Sequence, residues 1–166
     1  MTIELTPVAA ERFSTWLERS RDEYVADLVA SGETPESALR HATEALARAF
    51  PEQAPMDGQA VFDLTDDSGD AVGYLWLGHD NSGDPTSWWV WDVVVEPEHR
   101  GKGYGRAAMQ LAETYAQAGG ARTLGLSVFG FNATARALYD SLGYETTSVK
   151  MRKRLEDPEL QDDLAH

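Results

Sequence analysis

The sequence predicts one α+β domain. Three observations carry that expectation. The hydrophobic period switches repeatedly between about 3.6 and 2 along the chain. The 166 residues suffice for one core but not comfortably for two. No repeat or linker breaks residues 1–155, and only the closing "EDPELQDDLAH" (156–166) reads as a separate acidic tail, too polar to order itself.

The elements follow in order. "TIELT" (2–6) alternates as a short strand. From Pro7 onward Phe13, Trp16, Leu17, Tyr24 and Leu28 recur at helical steps until Gly32 ends the run. Thr34-Pro35-Glu36 opens a second helix, with Pro in the first turn and Leu39, Ala42, Leu46 and Phe50 on one face. "QAVFDLT" (59–65), the turn "DDSGD" and "AVGYLWL" (71–77) form a hairpin pattern. "TSWWVWDVVVE" (86–96), rich in aromatic and branched residues, predicts a strand inside a sheet. "GRAAMQLAETYAQAGG" (105–120) is a helix with Ala108, Leu111, Ala112 and Tyr115 inward and a double-glycine stop. "RTLGLSVF" (122–129) is a strand, and "NATARALYDSLGY" (132–144) is a helix capped by Asn132 and stopped by Gly143. "ETTSVKMRKRL" (145–155) alternates as a last strand.

Composition narrows the chemistry. With no cysteine, disulfides, thiolate nucleophiles and Cys-bound metals are excluded. No apolar run approaches membrane-span length and the N-terminus lacks a signal pattern, so the expected compartment is the cytoplasm. The formal net charge of −14 argues against nucleic acid as a partner. That charge is unevenly placed: residues 1–99 hold 5 Lys/Arg and 20 Asp/Glu, and residues 100–166 hold 9 and 8. Either the acidic half is simply a solvated surface, or the chain pairs an anion site in its second half with a cation-attracting first half. His41, His79 and His99 show no ligand spacing, so no metal is expected. Trp76, Trp88, Trp89 and Trp91 read mostly as core, with one of them able to wall a pocket.

The strongest local signal is "EPEHRGKGYGRAAMQLAE" (96–113), where three glycines in five positions meet a helix entrance beside Arg100, Lys102 and Arg106. The pattern G-x-x-x-x-G-K-S/T fails because Gly103 follows Lys102. The pattern G-x-G-x-x-G fails because Arg106 or Ala108 stands where its third glycine belongs, which removes a nicotinamide-dependent oxidoreductase from consideration. Helix-entry amides without internal partners, glycines that admit close approach, and flanking cations still suit a pyrophosphate.

R-G-K-G-Y-G after "VVVEPEH", followed by Asn132, Ala135, Leu138-Tyr139 and Gly143-Tyr144, resembles the acetyl-CoA signature of the GNAT superfamily of N-acetyltransferases. The resemblance covers roughly residues 88–155. A weaker one, through the helical N-terminus and "GYLWL", is to an uncharacterised branch of that superfamily. It implies an α/β/α-layered GNAT fold, a mixed and mostly antiparallel sheet of six to seven strands flanked by about four helices.

It also implies roles. The amides of Gly101, Lys102, Gly103, Tyr104, Gly105 and Arg106 grip the pyrophosphate of coenzyme A, screened by Arg100, Lys102 and Arg106. Val93, Val94 and Val95 pair through their backbone with the pantetheine arm, and an amide near Val94 steadies the thioester oxygen; the three valines serve equally as plain core. Asn132 binds pantetheine, caps its helix, or does both. Tyr139, two helical turns further on, protonates the leaving thiolate, against the alternative of an aromatic core residue. Some relatives carry a Glu or His base where this chain has Ser127, which leaves Asp92 or a water chain as base; burial would raise the Asp92 pKa usefully. Glu23 and Tyr24 on the first helix, with Asp92, line the acceptor pocket. The expected reaction is acetyl transfer from acetyl-CoA to a primary amine of a cationic acceptor, such as a polyamine, an amino-sugar or a lysine side chain. The alternative is a non-catalytic acyl-CoA-binding module. The expected partner is a small-molecule or peptide amine, with no nucleic acid and no membrane, and a homodimer is allowed.

Overall fold

The computed structural model describes residues 2–155. The expected acidic tail at 156–166 lies outside the described residues. In chain order stand β1 (Ile3–Pro7), α1 (Phe13–Ala30), α2 (Pro35–Ala49), β2 (Gln59–Asp66), β3 (Ala71–His79), β4 (Ser87–Val95), α3 (Tyr104–Ala118), β5 (Thr123–Leu126) and α4 (Ala133–Ser141). The sheet runs β1-β2-β3-β4-β5, antiparallel up to β4 and parallel between β4 and β5. A parallel neighbour needs a crossover, and α3 supplies it.

Each face of the sheet is buried against helices, as alternation from Tyr74 to Leu77 of β3 shows, while a register shift against β2 that leaves Val72 unpaired on that side resets the alternation before it. Val72, Leu75 and Leu77 join Ala108, Met109 and Ala112 of α3 in one core. Tyr74 and Trp76 join Phe13, Trp16, Leu46 and Phe50 of the α1–α2 side in the other. Small residues let α3 lie close to the sheet: Ala108 and Ala112 are fully buried, and a Cβ on Gly119 would come within 2.7 Å of the Trp88 ring. Thr34 caps α2 by accepting from the Ser37 amide at 3.3 Å, with Pro35 opening the helix.

Four details of the predicted elements are corrected. On α2 the row facing α1 is Ala38, Ala42 and Leu46, while Leu39, one position round the helix, is exposed. Tyr115 lies at the sheet margin, 39% exposed, with its ring edge-on to Phe62 and Trp88. β5 is paired only over Thr123–Leu126, because it parts from β4 beyond Val90. The sheet therefore has five strands among the described residues rather than six or seven, since residues 145–155 form no ladder. Alternation alone cannot create a partner, and Val149, Met151 and Leu155 of that stretch face solvent. Its anchor is instead Arg152, whose guanidinium donates to the Ser31 carbonyl at the end of α1.

Candidate active site

The site begins with one extra residue in β4. Trp76 of β3 pairs with Asp92, but the next residue, Leu77, pairs with Val90, so Trp91 is a bulge with no opposite number. The bulge resets the alternation. Without it Asp92 would share the parity of Trp88 and Val90 and point into the α3 core. With it Asp92 turns to the α1 face, beside Tyr74 and Ser20.

There Asp92 joins a polar cluster drawn from three elements. The Tyr74 hydroxyl lies 2.8 Å from Asp92 Oδ2 and 2.5 Å from Glu23 Oε2. Ser20 Oγ donates to Asp92 Oδ2 at 3.4 Å. Arg19 holds the other Glu23 oxygen at 2.9 Å and Glu96 at 2.5 Å, with its guanidinium over the Tyr74 ring. Burial, opposed by the Tyr74 bond and reinforced by the Glu23 and Asp27 charges, pushes the Asp92 carboxyl up to about 6. Burial, then the Asp92 charge, pushes the Tyr74 phenol far above its ordinary range. Asp27 is also raised, by burial and then by Glu23.

Past the bulge β4 loses its second neighbour. Its pairing with β5 ends at Val90–Leu126, so residues 91–95 have β3 on one side and an open edge on the other. The Glu96 amide donates to Val72 of β3, and a Cβ on Gly73 would strike the Val94 carbonyl, so Val94 and Glu96 turn their backbone groups toward β3. By alternation Val93 and Val95 turn theirs to the open edge, where Arg100 Nε meets the Val95 carbonyl at 3.0 Å.

The glycine turn follows directly. Gly101 and Gly103 take left-handed backbone, with φ of +75° and +84°, and a Cβ at either would meet nothing within 4 Å. Gly103 is the N-cap of α3, which has no side-chain cap and no acid in its first turn. Its entry amides thus face an open concavity that suits an anion. Arg106 is turned onto Ser141 Oγ at 2.6 Å, tying α3 to α4. Asn132 caps α4 through Oδ1, which accepts from the Ala135 amide at 3.1 Å. Tyr139, half-buried on α4 and 6.0 Å from the Tyr144 ring, is raised by burial and then by the Asp92 charge.

One cleft of about 2680 Å³ gathers these parts. Glu23, Tyr24, Asp92, Val93, Val94, Val95, Arg100, Gly101, Gly103, Tyr104, Gly105, Asn132 and Tyr139 line it, whereas Lys102 and Arg106 do not. Trp76 and Trp91, stacked at 5.8 Å, wall the end near Asp92. Tyr24 meets His41 Nε2 at 3.5 Å, and Glu33 meets the other ring nitrogen at 3.2 Å. No group of three or more His, Asp or Glu able to hold a metal is found among the described residues. None of their helices is long and apolar enough to cross a membrane. Tyr74, Ser20 and Arg19 were not expected from the sequence. The phenol of "GYLWL" was the one available signal, a polar atom inside an apolar strand.

Residues 16–144 match the model of the acetyltransferase (GNAT) family. The chain is 31% identical over 156 residues to YycN of Bacillus subtilis (strain 168), an uncharacterised N-acetyltransferase, covering 93% of this chain and 100% of that one. The crystal structure of YycN superposes with a TM-score of 0.86, over 94% of this chain and 100% of its own at 30% identity. A shorter stretch of 61 residues is 33% identical to the ribosomal protein bS18-alanine N-acetyltransferase of Escherichia coli (strain K12), covering 37% of this chain and 41% of that one. The structure of AAC(6')-Iy with the bisubstrate analogue CoA-S-monomethyl-acetylneamine shares the fold, with a TM-score of 0.59 and 18% identity over 95% of this chain and 100% of its own.

Proposed function

The chain belongs to the GNAT family of acetyltransferases, and from that premise we propose that it moves the acetyl group of acetyl-CoA to a primary amine of a cationic acceptor, by direct attack in a ternary complex. The observation that carries this reading is the meeting of Asp92 and Tyr139 at one cleft, where β4 parts from β5 and the Asp92 charge reaches the Tyr139 phenol. The entry amides of α3 and the open backbone at Gly101 and Gly103 fit a pyrophosphate, with Arg100 at the rim. Val93 and Val95 offer their outward backbone groups to the pantetheine arm, and one of their amides stabilises the thioester oxygen as negative charge builds there. Asn132 keeps its amide nitrogen for the same arm while its oxygen caps α4.

Asp92, directly or through a bound water, takes a proton from the acceptor ammonium. The amine nitrogen then bonds to the carbonyl carbon, the carbon–sulfur bond breaks as Tyr139 protonates the leaving sulfur, and the second proton that the nitrogen sheds as the amide forms restores the Tyr139 phenol through solvent. With no cysteine present, no acetyl-cysteine forms on the way. Glu23, Asp27 and the Trp76–Trp91 wall favour a cation at the acceptor end.

The test is thiol release from acetyl-CoA against a panel of polyamines, amino-sugars and lysine peptides. Turnover of at least one cationic amine is expected, with kcat/KM rising through about pH 6 as Asp92 ionises. Tyr139→Phe should cost about 10²-fold or more in kcat. Binding of acetyl-CoA without turnover of any amine, together with indifference to Tyr139→Phe, would sink the proposal.

A further inference from the structure

The geometry points to Tyr74 as a positioning residue that joins Asp92 and Glu23 into one proton-sharing pair, so that the proton Asp92 takes from the acceptor is passed to Glu23. This rests on the reading of Asp92 as the base. Its foundation is a count of protons. The phenol lies within hydrogen-bond distance of a carboxylate oxygen on each side, yet it has one proton to give. With both carboxylates ionised, one of the two contacts sets lone pair against lone pair. Both become hydrogen bonds only when a second proton sits on one of the carboxyls. Proton uptake by Asp92 therefore completes the second bond and relieves the repulsion.

The onward step is balanced within the same three groups. Asp92 gives its new proton to the Tyr74 oxygen while the phenol gives its own to Glu23 Oε2. Asp92 is then ionised again, Tyr74 is unchanged, and Glu23 is protonated. Glu23 is the outlet, since its side chain is 35% exposed whereas Tyr74 is 2% exposed. The parts are held in place. The Tyr74 ring packs edge-on against Trp16 at 5.8 Å, and Arg19 pins the Glu23 oxygen that Tyr74 does not use. Both polar contacts to Asp92 fall on Oδ2, and among the described residues Oδ1 has no hydrogen-bond partner, which leaves it for the amine; a proton taken up there comes to face the Tyr74 oxygen after a half-turn of the carboxyl group about its Cβ–Cγ bond. The charged and titratable groups around the pair are Arg19, Glu23 and Asp27 from α1, Tyr74 from β3, Asp92 and Glu96 from β4 and its end, and Tyr139 from α4.

The test needs neither acetyl-CoA nor a known amine. Carboxyl-¹³C NMR of the full chain follows Asp92 and Glu23 from pH 4 to 9. In the wild type the Asp92 signal should move near pH 6, and the Glu23 signal should respond in the same step through the phenol they share. In Tyr74→Phe, which keeps the ring packing, the Asp92 midpoint should rise by about one unit and the Glu23 signal should stop following it. In Glu23→Gln the phenol is left to Asp92 alone, so the midpoint should fall. An unmoved Asp92 midpoint in both variants, or a Glu23 response that survives Tyr74→Phe, overturns the proposal. For any amine that the acetylation panel accepts, Tyr74→Phe should lower kcat about tenfold at unchanged KM for acetyl-CoA, with imidazole restoring the rate. Failure of the panel would count against the enzyme reading alone, because the NMR titration would still decide on Tyr74.

Discussion

Asp92 carries two opposite obligations. As the base of the proposed reaction it should be ionised near neutral pH, while its surroundings favour the neutral form up to about pH 6. Because its folded pKa lies above the unfolded value, the native state binds the extra proton between about pH 4 and pH 6. Stability from this group is thus complete below pH 4 and is lost as pH rises through 6. A shift from 3.8 to about 6 corresponds to at most ~3 kcal/mol. Asp92→Asn should abolish that loss: urea unfolding at pH 5 and pH 8 should show the variant gaining on the wild type at the higher pH. The sequence already marked Asp92 as a lone charge in an apolar run. Its direction was not legible, because a bulge depends on which residue of β3 stands opposite, and no single strand records its own register. Tyr74 was missed for the same reason: its meaning lies in two partners, one 51 and one 18 positions away.

At the scale of elements, the turn into α3 was the most legible part, since glycine spacing is written locally. Its backbone gives the reason, with Gly103 at φ +84°. An alanine there adopts left-handed backbone at a cost of about 1–2 kcal/mol. Gly103→Ala should lower stability by that amount in thermal melts and shrink the added stabilisation from acetyl-CoA. Gly130→Ala is the control. Gly130 has negative or extended backbone and open space for a Cβ, so little change is expected. The strand expected at 145–155 failed because strand pattern is necessary for a ladder and not sufficient. Leu39 and Tyr115 were misplaced because a helical stripe fixes which residues align, while the neighbour's shape fixes which edge of the stripe is covered.

At the scale of the whole molecule, the fold class was legible, and the polar cluster around Asp92 was not. In the proposed reading the motifs report the donor side, because a pyrophosphate needs backbone and backbone needs glycine at fixed spacing. The proposed acceptor side is the cluster of side chains from α1, β3 and β4, which converge only after folding. The charge asymmetry of the chain has a spatial counterpart there. Glu23, Asp27 and Asp92 of its acidic half line the same cleft as Arg100 and the glycines at the α3 entrance.

The short seam between β4 and β5 has a mechanical consequence. Four residue pairs, Ser87–Thr123 to Val90–Leu126, make up the whole β4–β5 ladder among the described residues. By contrast β2, β3 and β4 are paired along most of their lengths. Sub-global opening should therefore run along this seam, and native-state hydrogen exchange should find β5 amides unprotected well before those of β3. A molecule lying in the gap would act as mortar. Acetyl-CoA should slow exchange in β5 more than in β2, so that the donor substrate completes a wall the polypeptide leaves half built.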